Sequence, residues 1–165
     1  MKKRIIALGL LWCLSAVMLQ AARVDTVLVR SAAMNKDVKV VYVLPDKAIG
    51  KQACPVVYLL HGYGGNARSW VQLKPELPQM ADEKGIIFVC PDGKNSWYWD
   101  SPENPAYRYE TFVTSELVKY TDGNYATIPD SKARAISGLS MGGHGALWSA
   151  IRHKDVFGAA GSMSG

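Results

Sequence analysis

Residues Gly138-Leu139-Ser140-Met141-Gly142 set a serine between two glycines, after the apolar run Ala133 to Ser137 and before the glycine-rich stretch Met141 to Arg152. A chain that passes from strand to helix in so few residues must fold back sharply at the serine. Glycines on both sides remove the Cβ atoms that would crowd such a turn. The pattern therefore demands a strand, a tight turn and a helix, with the serine hydroxyl raised at the carboxyl end of the strand. That geometry presents a nucleophile, which makes Ser140 the candidate catalytic residue. A glycine-rich turn with an incidental serine is the plain alternative, and the strand before it and the helix after it weigh against that reading.

Upstream, the β-branched, alternating segments Asp25 to Arg30 and Val38 to Leu44 predict an antiparallel pair that opens the domain and ends at Pro45. The apolar runs Val56 to Leu60 and Ile86 to Cys90, followed by Ala133 to Ser137, are separated by helix-compatible segments. Strand and helix in alternation mean a mostly parallel sheet covered on both faces. The first crossover, Ala67 to Ala81, is expected to be broken by Pro75 and Pro78. The second, Tyr109 to Tyr120, offers Phe112, Leu117 and Tyr120 to the core. Phe157 to Met163 begins a further apolar strand.

Met1 to Ala22 reads as a secretory signal: Lys2, Lys3 and Arg4 precede the apolar core Ile5 to Leu19, and Ala21 and Ala22 supply small residues for cleavage. The apolar run is short for a membrane span, and Leu11 and Trp12 before Cys13 do not suit a lipid anchor. Removing this segment lowers the formal charge from +5 to +2. The remaining residues, 23–165, are expected to form one domain, to be secreted or periplasmic, and to make no nucleic-acid contact and no stable membrane association. Cys54 precedes one strand and Cys90 ends its neighbour, so they fall at opposite ends of a parallel sheet. Both are read as small buried thiols rather than a disulfide.

A second glycine-rich loop, His61-Gly62-Tyr63-Gly64-Gly65-Asn66, follows the apolar strand ending at Leu60. Ester hydrolysis passes through an oxyanion. One amide donor normally comes from the residue after the nucleophile, here Met141, and another from such a loop, where Tyr63 is the candidate. Both loops fall at carboxyl strand ends, where α/β sites are built. Trp97-Tyr98-Trp99 lie in the loop after the next strand. Trp97 and Tyr98 are candidate substrate contacts through stacking on a sugar or phenolic ring, with core packing as the alternative. Asp100 and Glu103 read equally well as a solvated loop edge.

Five stretches together resemble the Putative esterase (esterase D-like) family of α/β-hydrolases, which includes feruloyl and acetylxylan esterases, S-formylglutathione hydrolases and mycolyltransferases. They are Leu59 to Asn66, Pro91-Asp92-Gly93, Ser96-Trp97-Tyr98, Glu116-Leu117-Val118 and Ala135 to Leu147, the last continuing through Phe157-Gly158-Ala159 to Ser164-Gly165. The resemblance implies a three-layer α/β-hydrolase fold, here through about its sixth strand. It implies Ser140 as nucleophile, the Tyr63 and Met141 amides as oxyanion hole, no metal and no cofactor.

In that fold the acid and then the histidine follow the serine in sequence, and the histidine takes the serine's proton. Only Asp155 follows Ser140 as an acid, and His61, His144 and His153 are poorly placed to serve as base. The domain is therefore expected to be C-terminally incomplete. The function expected is an exported serine esterase that releases acyl, feruloyl or acetyl groups from a small-molecule or polysaccharide ester through an acyl-Ser140 intermediate; a thioesterase resembling S-formylglutathione hydrolase or an acyltransferase is the alternative, and a carbohydrate-binding module without catalysis the non-enzymatic one.

Overall fold

The computed structural model describes residues 22–165, so the secretory segment read at Met1 to Ala22 lies outside the described residues except for Ala22. Among the described residues six strands, β1 (Arg23–Ser31), β2 (Lys36–Leu44), β3 (Val56–Leu60), β4 (Ile87–Pro91), β5 (Arg134–Leu139) and β6 (Ala159–Met163), form one sheet in the order β1-β2-β4-β3-β5-β6. β1 and β2 form the expected antiparallel hairpin, and β2 runs antiparallel to β4. From there β4, β3, β5 and β6 are parallel.

Alternation along the strands builds two cores. Val40, Tyr42 and Leu44 of β2, with Ile87 and Val89 of β4, face one layer, while Val41 and Val43, with Phe88 and Cys90, face the other. The first layer holds α4 (Tyr109–Thr111), a π-helical turn (Phe112–Glu116), α5 (Leu117–Asn124) and α6 (Met141–Arg152), following the short α1 (Asp46–Ile49) and the two helices opposite. The second is covered by α2 (Ser69–Leu73) and α3 (Leu77–Lys84). Phe112 and Leu117 are fully buried and Tyr120 packs at the core's margin. Cys54 and Cys90 are buried free thiols.

One expectation changes. Pro75 does separate α2 from α3, but Pro78 lies in the first turn of α3, where a missing N–H removes no intrahelical bond. It starts a helix rather than breaking one.

The glycines of the serine motif prove to be packing residues. A Cβ on Gly138 would sit 2.2 Å from the Gly142 carbonyl oxygen, and one on Gly142 would sit 2.2 Å from that of Leu60. The start of α6 thus rests directly on the ends of β5 and β3, backbone against backbone. Gly142→Ala is expected to cost about 3 kcal/mol in urea unfolding. Gly123→Ala, on the exposed side of α5 with nothing within 4 Å, is expected to add about 0.5 kcal/mol through helix propensity.

Candidate active site

Ser140 is the residue between β5 and α6, and its backbone takes φ 52° and ψ −118°, a conformation that costs a non-glycine residue on the order of 1–3 kcal/mol. Its neighbours hold it there. The Ser140 N–H donates to the Met163 carbonyl at 2.7 Å, and its own carbonyl accepts the His144 N–H, the first bond of the α6 ladder. The amides of Met141, Gly142 and Gly143 precede that bond and so have no intrahelical partner. Ser140 itself is exposed.

The β3 loop lies against this turn. A Cβ on Gly62 would come 3.3 Å from the Leu139 carbonyl and 3.7 Å from Ser140 Cβ, so the two candidate oxyanion segments are in contact. Among the described residues the Tyr63 and Met141 amides donate to no protein group. The next amide is tied down: Gly64 N–H donates to Asn95 Oδ1 at 2.8 Å, which links this loop to the one after β4.

His61, buried beneath the loop, makes a second link. Its Nδ1 donates to the Gly62 carbonyl at 2.7 Å, and its Nε2 accepts the Gly93 N–H at 2.9 Å. Both ring nitrogens are used, which fixes the neutral tautomer with the proton on Nδ1. Asp92 stands beside it. Burial alone would raise the Asp92 carboxyl, but bonds from the Lys94 amide and ammonium hold it well below the usual carboxylate range.

The aromatic loop divides in a way the sequence only half revealed. Ser96 to Trp99 form a turn in which Trp97 and Tyr98 both have positive φ, 56° and 60°. Tyr98 is the correction: its ring is completely buried, its hydroxyl donates to the His61 carbonyl at 3.2 Å, and it is wedged where a Cβ on Gly93 or Gly145 would collide with it. It is a core residue and is not presented to a ligand. Trp97 and Trp99 are thrown outward and are 44% and 46% exposed. Asp100 is no solvated edge either, since its carboxylate accepts both the amide and the hydroxyl of Thr111 at the end of α4.

The three histidines are all engaged away from Ser140. His144, one turn along α6, accepts the Trp99 indole N–H at 2.9 Å and lies among the rings of Trp97, Trp99 and Trp148. His153 Nε2 bonds Glu110 Oε1 at 2.8 Å. Glu110, only 8% exposed, also accepts from Trp148 and Arg152. Burial opposes its ionisation, yet these three donors lower its pKa. Asp155 is exposed. Among the described residues, then, Ser140 has two free amides beside it and no histidine ring bonded to its hydroxyl.

Comparison with known proteins agrees with this architecture. Residues 31–165 match the family described as Putative esterase. An acetyl esterase of Caldicellulosiruptor saccharolyticus is 29% identical over 136 residues, 77% of this chain and 50% of its own length. A ferulic acid esterase superposes with TM-score 0.73 at 30% identity, covering 85% of this chain and 59% of that one. The S-formylglutathione hydrolase of Agrobacterium tumefaciens gives 0.76 at 26%, covering 86% and 57%. The chain thus spans about half the length of such relatives.

Asp92 gives a signed test. Its folded pKa is depressed, so its stabilisation is complete above the unfolded value of about 3.9 and fades as pH falls through the folded one. Asp92→Ala is expected to cost about 2 kcal/mol in denaturant melts at pH 7, with the gap to the parent narrowing only below about pH 4.

Proposed function

The chain belongs to the Putative esterase family, and from that premise we propose that the protein is an exported serine esterase that removes acyl groups, acetyl or feruloyl, from polysaccharide or oligosaccharide. The observation that carries the reading is Ser140, held at a strained φ of 52° beside the unpaired Tyr63 and Met141 amides. Strain of this kind persists only where the surroundings enforce it, and it clusters at reacting residues.

In this reading Ser140 Oγ attacks the ester carbonyl carbon as a base takes its proton. The carbonyl oxygen becomes an oxyanion that the two amides receive. Collapse expels the sugar hydroxyl, which regains the proton, and leaves an acyl-Ser140 that water hydrolyses to the free acid. The base is none of His61, His144 or His153, whose ring contacts are committed elsewhere. Export is supported by the charged, apolar and small-residue succession of Met1 to Ala22, and a polysaccharide substrate by the outward-facing Trp97 and Trp99.

A thioester hydrolase is the second reading, supported by the likeness to the S-formylglutathione hydrolase. Parallel assays on acetylated xylan, methyl ferulate and S-formylglutathione separate the two, with turnover expected on the oxygen esters. The chemistry itself is tested by a fluorophosphonate probe on the full-length protein. One equivalent is expected on Ser140 and none in Ser140→Ala; failure to label Ser140 would refute the mechanism. The 165-residue chain alone is expected to hydrolyse p-nitrophenyl acetate only at the level left by an oxyanion hole without its base, on the order of 10³-fold over water.

A further inference from the structure

Trp99 stands between two clefts and lines both. One, of about 390 Å³, is completed by Trp148, Asp100, Glu110 and Arg152; the other, of about 350 Å³, by Asn95, Ser96, Ser101, Asn104 and Tyr107. We propose that this double cleft is a binding groove for a neutral oligosaccharide, with sugar rings seated on both sides of Trp99. The inference rests on the polysaccharide-ester reading and adds to it where the glycan chain is held.

The chemistry of the walls selects the ligand. In the first cleft the indoles of Trp99 and Trp148 lie 5.6 Å apart and tilted by 44°, with the Trp148 N–H already given to Glu110. What Trp99 offers a ligand is an apolar face, which suits the C–H face of a pyranose, while Trp148 backs it. Polar capacity remains around them. Arg152 spends its Nε on Glu110 and lies over Trp148 at 4.8 Å, which fixes a guanidinium whose terminal amino groups bond no described residue. Asp100 is held rigid by Thr111 and keeps spare lone pairs for hydroxyl donors.

Charge argues against an anion. The positive charge of Arg152 is matched by Glu110, which also holds the His153 ring, and Asp100 adds a negative charge, so the walls carry no surplus of cations to gather a uronate or a phosphate. A fatty acyl chain finds no closed apolar tunnel here, whereas interleaved donors, acceptors and indole faces match the equatorial hydroxyls and apolar faces of neutral sugars. Two clefts sharing one exposed indole fit a chain of sugars better than a single ring.

Trp99 is not left to find its own orientation. Its N–H is held by His144, and its backbone sits on the turn anchored by Tyr98. This fixed platform lowers the entropy lost when a ligand stacks on it.

The test is titration of the purified protein with underivatised xylohexaose, cellohexaose and mannohexaose, and with free ferulate, followed by tryptophan fluorescence and calorimetry. At least one hexaose is expected to bind with a Kd below about 1 mM, at least tenfold tighter than its disaccharide. Trp99→Ala is expected to weaken it about tenfold, and Trp99→Phe, which keeps an aromatic face, to restore most of the loss. Binding of no hexaose up to about 10 mM, binding of ferulate alone, or a folded Trp99→Ala that binds like the parent would overturn the proposal. Hydrolysis of p-nitrophenyl acetate, followed in the same samples of the full-length protein, separates the two claims. Activity without hexaose binding removes the groove alone, and hexaose binding without activity removes the esterase reading alone.

Discussion

Three stretches of backbone meet without side chains between them, at Leu60 of β3, Gly138 of β5 and Gly142 of α6, and the geometry of the candidate site follows from that contact. Because α6 begins directly on the strand ends, the residue that joins β5 to α6 has no room for an ordinary turn. Ser140 takes up the remaining bend in a conformation that L-residues avoid. The strain is local and costs far less than the packing that enforces it, since parting the helix from the sheet would open the core around Met141 and Ala146. The glycines therefore do more than ease a turn: they set the distance between the helix start and the loop carrying Tyr63.

A second contact organises the other side. Tyr98, buried between Gly93 and Gly145, anchors the loop after β4, and its hydroxyl reaches the His61 carbonyl. His61 and Asn95 then join that loop to the β3 loop through Gly93 and Gly64. Both strand-end loops thus form one hydrogen-bonded body against α6. The proposed nucleophile, its candidate amide donors and the Trp99 platform, held on one body, need little reordering when a ligand arrives, which is the condition for effective electrostatic stabilisation.

Much of this was legible in the residues. The alternation of β1 and β2, the apolar runs of β3 to β5 and the Gly-x-Ser-x-Gly pattern give the sheet, its parallel part and the elbow directly, because each rests on a local period or a local steric demand. Long-range pairings were not legible. Nothing near Tyr98 in sequence says that Gly93 and Gly145 leave a slot for its ring, so of three consecutive aromatics the buried one could not be picked out. The roles of Asn95, Glu110 and His144 depend on partners 31 to 45 residues away along the chain. Pro78 departs from the expected break for a different reason: proline suits the first turn of a helix as well as its end, and Pro75 already closes α2, so Pro78 falls at the start of α3.

In the proposed mechanism Ser140 and the amides of Tyr63 and Met141 converge on one reacting carbonyl. A crystal structure of the Ser140 phosphonate adduct measures this directly, because its phosphoryl oxygen occupies the position of the oxyanion. The account predicts that oxygen within about 3 Å of both amide nitrogens. A phosphoryl oxygen turned to solvent, with neither amide in reach, would contradict it.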